Sequence, residues 1–380
     1  MAKKYQICKR CVMDTSDPQI TFSSEGYCNH CEDYLSMRGN QQSAKKGLKS
    51  ELKAIVEEIK QKGKGKEYDC LIGLSGGVDS SYLAYLAVKE YGLRPLAVHL
   101  DNGWNSKLAV KNINNTIISL DIDLHTHVID WNEFKELQLA YLRSSVIDIE
   151  VPTDHAIRAA LYKTAEENGI EYLLRGYNRN TESIIPKAWT FLKIDRKNLL
   201  DINKKHGKGT LNTYPIIDSK RISALKKNGL KTFAPLNYID FNQEEVEEII
   251  KAELKWKSYG GKHHESVFTR FYQGYILPKK FGIDKRRAHL STEICNEILS
   301  RDEALSLLKE SPYDEEQLKL DYDYVVKKFD LTSEEFDQIM AMPIRSHFDY
   351  ETEMKSKIRK KVLDPRNPVY RFFKQRRNLK

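Results

Sequence analysis

No stretch of the 380-residue chain approaches the run of about 18 apolar residues that a membrane-crossing helix needs. The start, Met1-Ala2-Lys3-Lys4-Tyr5-Gln6-Ile7-Cys8, has no apolar signal core, so a cytosolic, globular protein is expected. There is no Gly-Lys-Ser/Thr tripeptide, which excludes a Walker A loop and its grip on a β,γ-phosphate pair and magnesium. Cysteine is scarce, six in all, and without a signal segment a disulfide framework is the weaker reading of them. An excess of charge of one sign is also nearly absent outside one place. The formal +8 arises in residues 355–380, which hold eleven Lys or Arg against one acid, Asp364. The rest holds 51 basic and 53 acidic residues, a poor groove for nucleic acid. What remains, 40% hydrophobic residues over a length fitting about two to three domains, suffices for ordinary folded cores.

The most informative stretch is Cys70-Leu71-Ile72-Gly73-Leu74-Ser75-Gly76-Gly77-Val78-Asp79-Ser80-Ser81. An apolar run of strand length meets a small-residue turn, and apolar residues resume at helical spacing through Leu83, Leu86 and Val88. Ser75, Gly76 and Gly77 let backbone N–H groups approach an anion, and the following helix points its positive end into the same space. This is a phosphate cradle, with Asp79 as its carboxylate. Residues Ser75, Gly76, Gly77, Val78, Asp79, Ser80 and Ser81 resemble the PP-loop of the ATP pyrophosphatase superfamily, which implies adenylation chemistry.

Upstream, Cys8-x2-Cys11 and Cys28-x2-Cys31 have the spacing of a closed four-thiolate Zn2+ site, structural because no position is left for a water nucleophile. Residues 43–62 read as a connecting helix, with a hinge at Gly63-Lys64-Gly65. Downstream, strands at 94–103, 124–129 and 171–174 alternate with helices at 108–118, 131–148 and 154–168, the pattern of a doubly wound parallel sheet. Ligands of such sheets bind at the carboxyl ends of the strands, where three polar turns fall: 75–81, 99–103 and 176–182. Asp101, Asn102 and Gly103 are expected near the adenosine. Gly176, Asn178, Thr181 and Glu182 resemble the second ATP motif of the superfamily, and Glu182 with Asp79 is placed to hold Mg2+ on the pyrophosphate.

Residues 187–240 give no clear order of elements, whereas 243–256 reads as an acidic amphipathic helix. Beyond it lies a dense polar group, Lys262, His263, His264, Glu265, Arg270, Lys285 and Arg286, interleaved with aromatics and suited to a diphosphate or other substrate groups. Residues 291–363 read as helices capped by Ser300-Arg301-Asp302-Glu303 and Thr332-Ser333-Glu334-Glu335. The expected division is a zinc module (1–42), a connecting helix and hinge (43–66), an ATP-binding α/β domain (67–242), a helical substrate lobe (243–354) and the basic tail (355–380). In the tail, Tyr370, Phe372 and Phe373 alternate with Arg371, Lys374, Arg376 and Arg377, fitting either contact with a partner or membrane surface or a solvated end packed back on the body.

Taken together, Arg10 to Pro18, Cys28 to Cys31, the PP-loop, Asp101 to Ser106, Pro152 to His155, Gly260 to Ser266 and Phe281 to Arg286 resemble the N-acetyl sugar amidotransferase family of bacterial surface-polysaccharide and flagellar-glycan biosynthesis. The resemblance implies an ATP- and Mg2+-dependent enzyme that turns the acetamido group of a nucleotide-activated sugar into an acetamidino group. Ser75, Asp79, Asp101 and Glu182 are the expected catalytic residues; His99 or Asp101 is a candidate to handle a proton, the alternative for His99 being a satisfied core residue of a buried strand. Neither Cys70 nor Cys295 sits in a glutaminase motif, so ammonia is expected from a separate glutaminase subunit with a cyclase-like barrel partner. The rival readings are a tRNA thiolase, which needs further cysteines near the ATP site, and a zinc scaffold whose nucleotide loop only regulates.

Overall fold

The computed structural model describes residues 4–259 and 265–353, with backbone alone for 38–46. Lys262, His263, His264 and the tail 355–380 lie outside the described residues.

Five strands, β1 (Cys70–Gly73), β2 (Pro95–Asp101), β3 (Leu124–Val128), β4 (Tyr172–Leu174) and β5 (Lys231–Phe233), form one sheet in the order β3-β2-β1-β4-β5. Every pairing is parallel, as the alternation of strands and helices requires. The chain winds outward from β1 to β3 on one side and from β4 to β5 on the other. The crevice between β1 and β4 is therefore the switch point at which a ligand is expected.

The two faces of the sheet bury alternate strand residues. Cys70, Ile72 and Ala97 face one core with α1 (Asn29–Gly63), α2 (Val78–Tyr85), α3 (Lys107–Leu120) and α9 (Gln243–Leu254). Leu71, Leu96, Val98 and Leu100 face the other, with α4 (Trp131–Ser144) and α5 (Val151–Glu167). Segment 187–240 supplies α7 (Arg196–His206), α8 (Ser219–Lys227) and β5, preceded by the single turn α6 (Arg179–Glu182).

The C-terminal helices α10 (Val267–Phe271), α11 (Leu277–Phe281), α12 (Arg286–Cys295), α13 (Arg301–Leu307), α14 (Glu315–Lys328) and α15 (Ser333–Ala341) complete the chain. Both expected capping boxes are present, Ser300 with Glu303 and Thr332 with Glu335. Helix α1 differs from expectation: it starts at Asn29 rather than near 43, so Cys31 lies in its first turn and residue 42 is no boundary in the backbone. The polar run Asn40-Gln41-Gln42-Ser43 carries no apolar periodicity, which hid its first half.

Arg270 and Arg286, expected to meet substrate, are occupied within this lobe. Arg270 forks onto Asp321 of α14 at 2.7 and 2.9 Å, and Asp321 also accepts from Tyr313 Oη and, at 2.9 Å, from Gln317 Nε2. Arg286 pairs with Asp284 at 2.7 Å and donates to the carbonyls of Leu307 and Glu310, tying α12 to α13. Arg270→Met leaves the Asp321 carboxylate buried without its counter-ion, and is expected to cost about 3 kcal/mol in chemical denaturation, with Arg270→Met/Asp321→Leu recovering most of it. A loss below about 1 kcal/mol would mean that the pair does not clamp the lobe.

Candidate active site and four-cysteine metal centre

The loop after β1 is shaped by one backbone angle and two aromatic residues. Gly76 has φ +83°. Its carbonyl accepts from Trp256 Nε1 at 2.8 Å and Tyr259 Oη at 2.6 Å, so the segment after α9 fixes the turn from outside. Ser80 Oγ donates to Gly77 O at 3.1 Å, and Gly77 N–H donates to Ser75 Oγ at 3.3 Å. Gly77 caps α2 with no side-chain hydrogen bond, and a helix start of this kind is the arrangement that receives an anion.

The second turn is held by its own side chains. Asp101 Oδ1 accepts from Gly103 N–H at 2.9 Å and Asn102 Oδ1 from Trp104 N–H at 3.1 Å. Lys328 donates to Gly103 O while its ammonium lies 4.7–5.2 Å from the ring centres of Trp131, Trp104 and Tyr324, so α14 pins this turn. In the third turn, Gly176 stands against the Asp79 carbonyl, 3.5 Å from where a Cβ would sit. Asn178 caps α6, and Thr181 is buried beside it. The three turns expected to converge do lie around one end of the sheet.

A cavity of about 400 Å³ opens there. Ser75, His99, Asn102 and Asn105 line it from the carboxyl end of the sheet, and Glu265, Thr269 and Lys285 from the C-terminal region. Glu265 also approaches the loop, its Oε1 lying 3.3 Å from the position of a Cβ on Gly77. Of the expected substrate residues that are described, the structure brings Glu265 and Lys285 to the cavity and places Arg270 and Arg286 elsewhere.

The same cavity is lined by a charged cluster that the sequence alone does not single out. Lys193 binds Asp148 at 2.7 Å and Asp154 at 2.9 Å, and its pKa is raised by those two carboxylates. Thr269 Oγ1 donates to Glu150 Oε2 at 2.7 Å. Asp154 was visible only as part of Pro152-Thr153-Asp154-His155. Asp148, Glu150 and Lys193 carried no motif, because they meet through tertiary folding from segments more than 40 residues apart.

His99 is fixed as a neutral ring. Its Nδ1 donates to Leu74 O at 3.0 Å, its Nε2 accepts from Asn105 Nδ2 at 3.0 Å, and burial lowers its pKa. With both nitrogens engaged it orients Asn105 and is not free to shuttle a proton.

In a separate core, Cys8, Cys11, Cys28 and Cys31 are buried, and their ligand atoms all lie within 4.8 Å of one another. Sγ separations of 3.5 and 3.7 Å match the edges of a tetrahedron around a single ion with bonds of about 2.3 Å. A cubane cluster spreads its thiolates over separate irons and sets them farther apart. Cys28 N–H donates to Cys8 Sγ at 3.1 Å, a bond that favours the thiolate. The residues therefore fit a metal such as zinc. This module docks on α12 and α13: Arg287 donates to Val12 O at 2.8 Å and pairs with Asp14 at 3.0 Å, and Arg301 donates to Cys8 O at 3.0 Å.

Two family models match the chain. Residues 49–169 match NAD synthase, and residues 265–363 match the C-terminal domain of the WbpG-like lipopolysaccharide biosynthesis proteins. The chain is a PP-loop protein with a WbpG-like C-terminal domain. This pairing is consistent with an N-acetyl sugar amidotransferase of the PP-loop superfamily. The PP-loop protein is 30% identical over 118 residues to the uncharacterized protein MJ1599 of Methanocaldococcus jannaschii, covering 31% of this chain and 40% of that one. It thus spans about two fifths of the length of this curated relative. Among solved structures it is similar to the NMN synthetase of Francisella tularensis, with TM-score 0.29 and 20% identity over 58% of this chain and 91% of that one. It is also similar to the U34-tRNA thiolase NcsA of Methanococcus maripaludis with its [4Fe-4S] cluster, with TM-score 0.29 and 15% identity over 81% and 90%. No helix among the described residues is long and apolar enough to cross a membrane.

Proposed function

We propose that this PP-loop protein is an ATP-dependent amidotransferase that converts an acetamido group of a nucleotide-activated sugar into an acetamidino group, in lipopolysaccharide, O-antigen or related glycan biosynthesis. The observation that carries the reading is the shared cavity, lined both by the mouth of the PP-loop and by the WbpG-like region.

An amide oxygen leaves poorly and its carbon is a weak electrophile. ATP removes both obstacles: the amide oxygen attacks the α-phosphorus, pyrophosphate departs, and ammonia displaces AMP from the resulting imidate. The chain's own work is positioning and neutralisation. Loop amides from Ser75 to Ser81 receive the pyrophosphate, and Asp101, Asn102 and Gly103 border the nucleoside. Asp79 and Glu182, which lie on α2 and α6 beside the Gly176 contact, are the carboxylates to hold Mg2+. Lys285 and Glu265 face the sugar, as would Lys262, His263 and His264. Zinc at the four cysteines has a structural role.

None of the six cysteines lines the cavity. Cys70 is buried in β1 with its thiol pKa pushed up by burial, and Cys295 is buried against the four-cysteine module. This supports an external glutaminase, with its barrel partner, as the ammonia source, and it disfavours the thiolase reading. The test is pyrophosphate release from MgATP and ammonium with a panel of UDP- and CMP-linked acetamido sugars and with bulk tRNA. Release driven by one sugar, with a product about one mass unit lighter as C=O becomes C=NH, is the expected result; release driven by tRNA overturns it.

A further inference from the structure

Resting on the amidine-forming reading above, we propose that Glu150 is the acid–base residue of that reaction: it takes the N–H proton of the acetamido group as the oxygen is adenylated and returns it as ammonia adds.

Glu150 immediately precedes α5, and its side chain makes no capping bond with it. Its Oε2 is held by Thr269 Oγ1, and its Oε1 is shut off from solvent with no hydrogen-bond partner. The residue lines the cavity that Ser75 and Asn102 also line, the chamber in which adenylation would occur.

Several other proton carriers around this site are already engaged. His99 uses both ring nitrogens. His155 Nδ1 donates to Lys193 O at 2.8 Å and its Nε2 accepts from Ile217 N–H at 3.1 Å, and burial lowers its pKa to about 4. Asp148 accepts from Lys193 and, at 2.7 Å, from Phe191 N–H. Asp101 Oδ1 accepts from Gly103 and Asn105.

The charged and titratable groups facing Glu150 come from every element around it: Asp148 from the preceding turn, Asp154 from α5, Lys193 from the segment before α7, Tyr272 from the turn after α10, and Lys285 before α12. Lys193 is paired with Asp148 and Asp154, and its charge offsets only part of the rise at Glu150. Burial, then Asp154, push the Glu150 carboxyl up to about 7, close to the value best suited to both taking and giving a proton at neutral pH.

The proton account closes. As the acetamido oxygen bonds to the α-phosphorus and the bond to the β-phosphate oxygen breaks, the amide nitrogen gives its proton to the Glu150 carboxylate, leaving a neutral O-adenylyl imidate. When ammonia bonds to the imidate carbon, protonated Glu150 returns that proton to the same nitrogen. The attached ammonium then yields one proton to the carboxylate, and AMP leaves with the C–O electron pair. The product is an amidinium, and Glu150 releases the surplus proton to solvent.

The test uses the full chain, MgATP and the sugar that supports pyrophosphate release, at constant free ammonia. Glu150→Gln is expected to lower kcat about 100-fold with KM for ATP and sugar within about threefold. The wild-type kcat is expected to fall on the acid side of about pH 7. Thr269→Val removes a bond that favours the carboxylate, and is expected to move that limb to higher pH with activity recovered above it. An unchanged kcat in Glu150→Gln, or an acid limb that Thr269→Val does not move, overturns the assignment. If Glu150→Gln fails to fold, the Thr269→Val shift decides. If wild-type protein releases pyrophosphate with no acetamido sugar, the functional reading itself fails and takes this assignment with it.

Discussion

Replacing Gly76 by alanine is expected to lower kcat/KM for ATP by at least about 1000-fold, on the scale set by losing preorganised backbone donors from a phosphate site. Two costs coincide at this position. With φ at +83°, any Cβ puts the backbone in the left-handed region, at roughly 1–2 kcal/mol. The new Cβ would also lie 2.7 Å from the Ala109 carbonyl oxygen and 3.0 Å from Tyr259 Oη. The carbonyl belongs to helix backbone and cannot step aside, so the loop must move, and with it the Gly76 carbonyl that Trp256 and Tyr259 hold. Gly77→Ala is the informative contrast. Its φ is −72°, and its nearest contacts are the side chains of Glu265 and Ser75 at 3.3 and 3.4 Å, so a smaller loss is expected. Steady-state pyrophosphate release by both variants checks this; near-normal kcat/KM in Gly76→Ala would show that the loop does not hold the phosphates as described.

The parts of this molecule that could be read from sequence are those whose chemistry is local. The PP-loop is contiguous because one strand, one turn and one helix start make the whole cradle, and the four cysteines announce themselves because each pair shares a turn. The alternation that predicted β1 to β4 follows from a sheet buried on both faces. Strand β5 gave no such signal: Lys231-Thr232-Phe233 is three residues long and mostly exposed at a sheet edge. The substrate side was the least legible. Arg270 and Arg286 lie in a basic, aromatic-rich stretch that looks like a ligand site, yet each has a carboxylate partner that sequence spacing could not weigh, Asp321 from a different helix and Asp284 two residues away. Glu150 is the opposite case. As one acid at a helix start it is unremarked in sequence, and only the packing of Thr269, Asp148 and Asp154 around it gives it a distinct environment.

Removing the metal from the four-cysteine module, or replacing Cys28 by serine, is expected to eliminate sugar-dependent turnover by about 1000-fold, equivalent to roughly 4 kcal/mol in the barrier. Burying four thiol side chains without an ion cannot replace the roughly 10 kcal/mol or more that such a metal contributes to folding its module. The consequence reaches the active site through α12. On one side this helix holds the module, through Arg287 on Asp14 and Val12 and through Asn296, which accepts from Tyr34 Oη at 2.6 Å. On the other side it holds the third turn: Asn296 Nδ2 donates to Asn180 O at 2.9 Å, and Thr292 Oγ1 accepts from Ile184 N–H at 3.2 Å. Lys285 is the residue immediately before this helix. A module that unfolds therefore loosens the wall carrying Lys285 and the segment carrying Glu182. The PP-loop instead packs in the sheet core formed with α1, α2, α3 and α9, apart from the module core. ATP affinity is accordingly expected to stay within about tenfold, as local opening leaves a separate core folded. Metal analysis, calorimetric ATP titration and pyrophosphate release on the same preparation separate these effects. Full sugar-dependent activity in metal-free Cys28→Ser would sever the link from the metal centre to the active site.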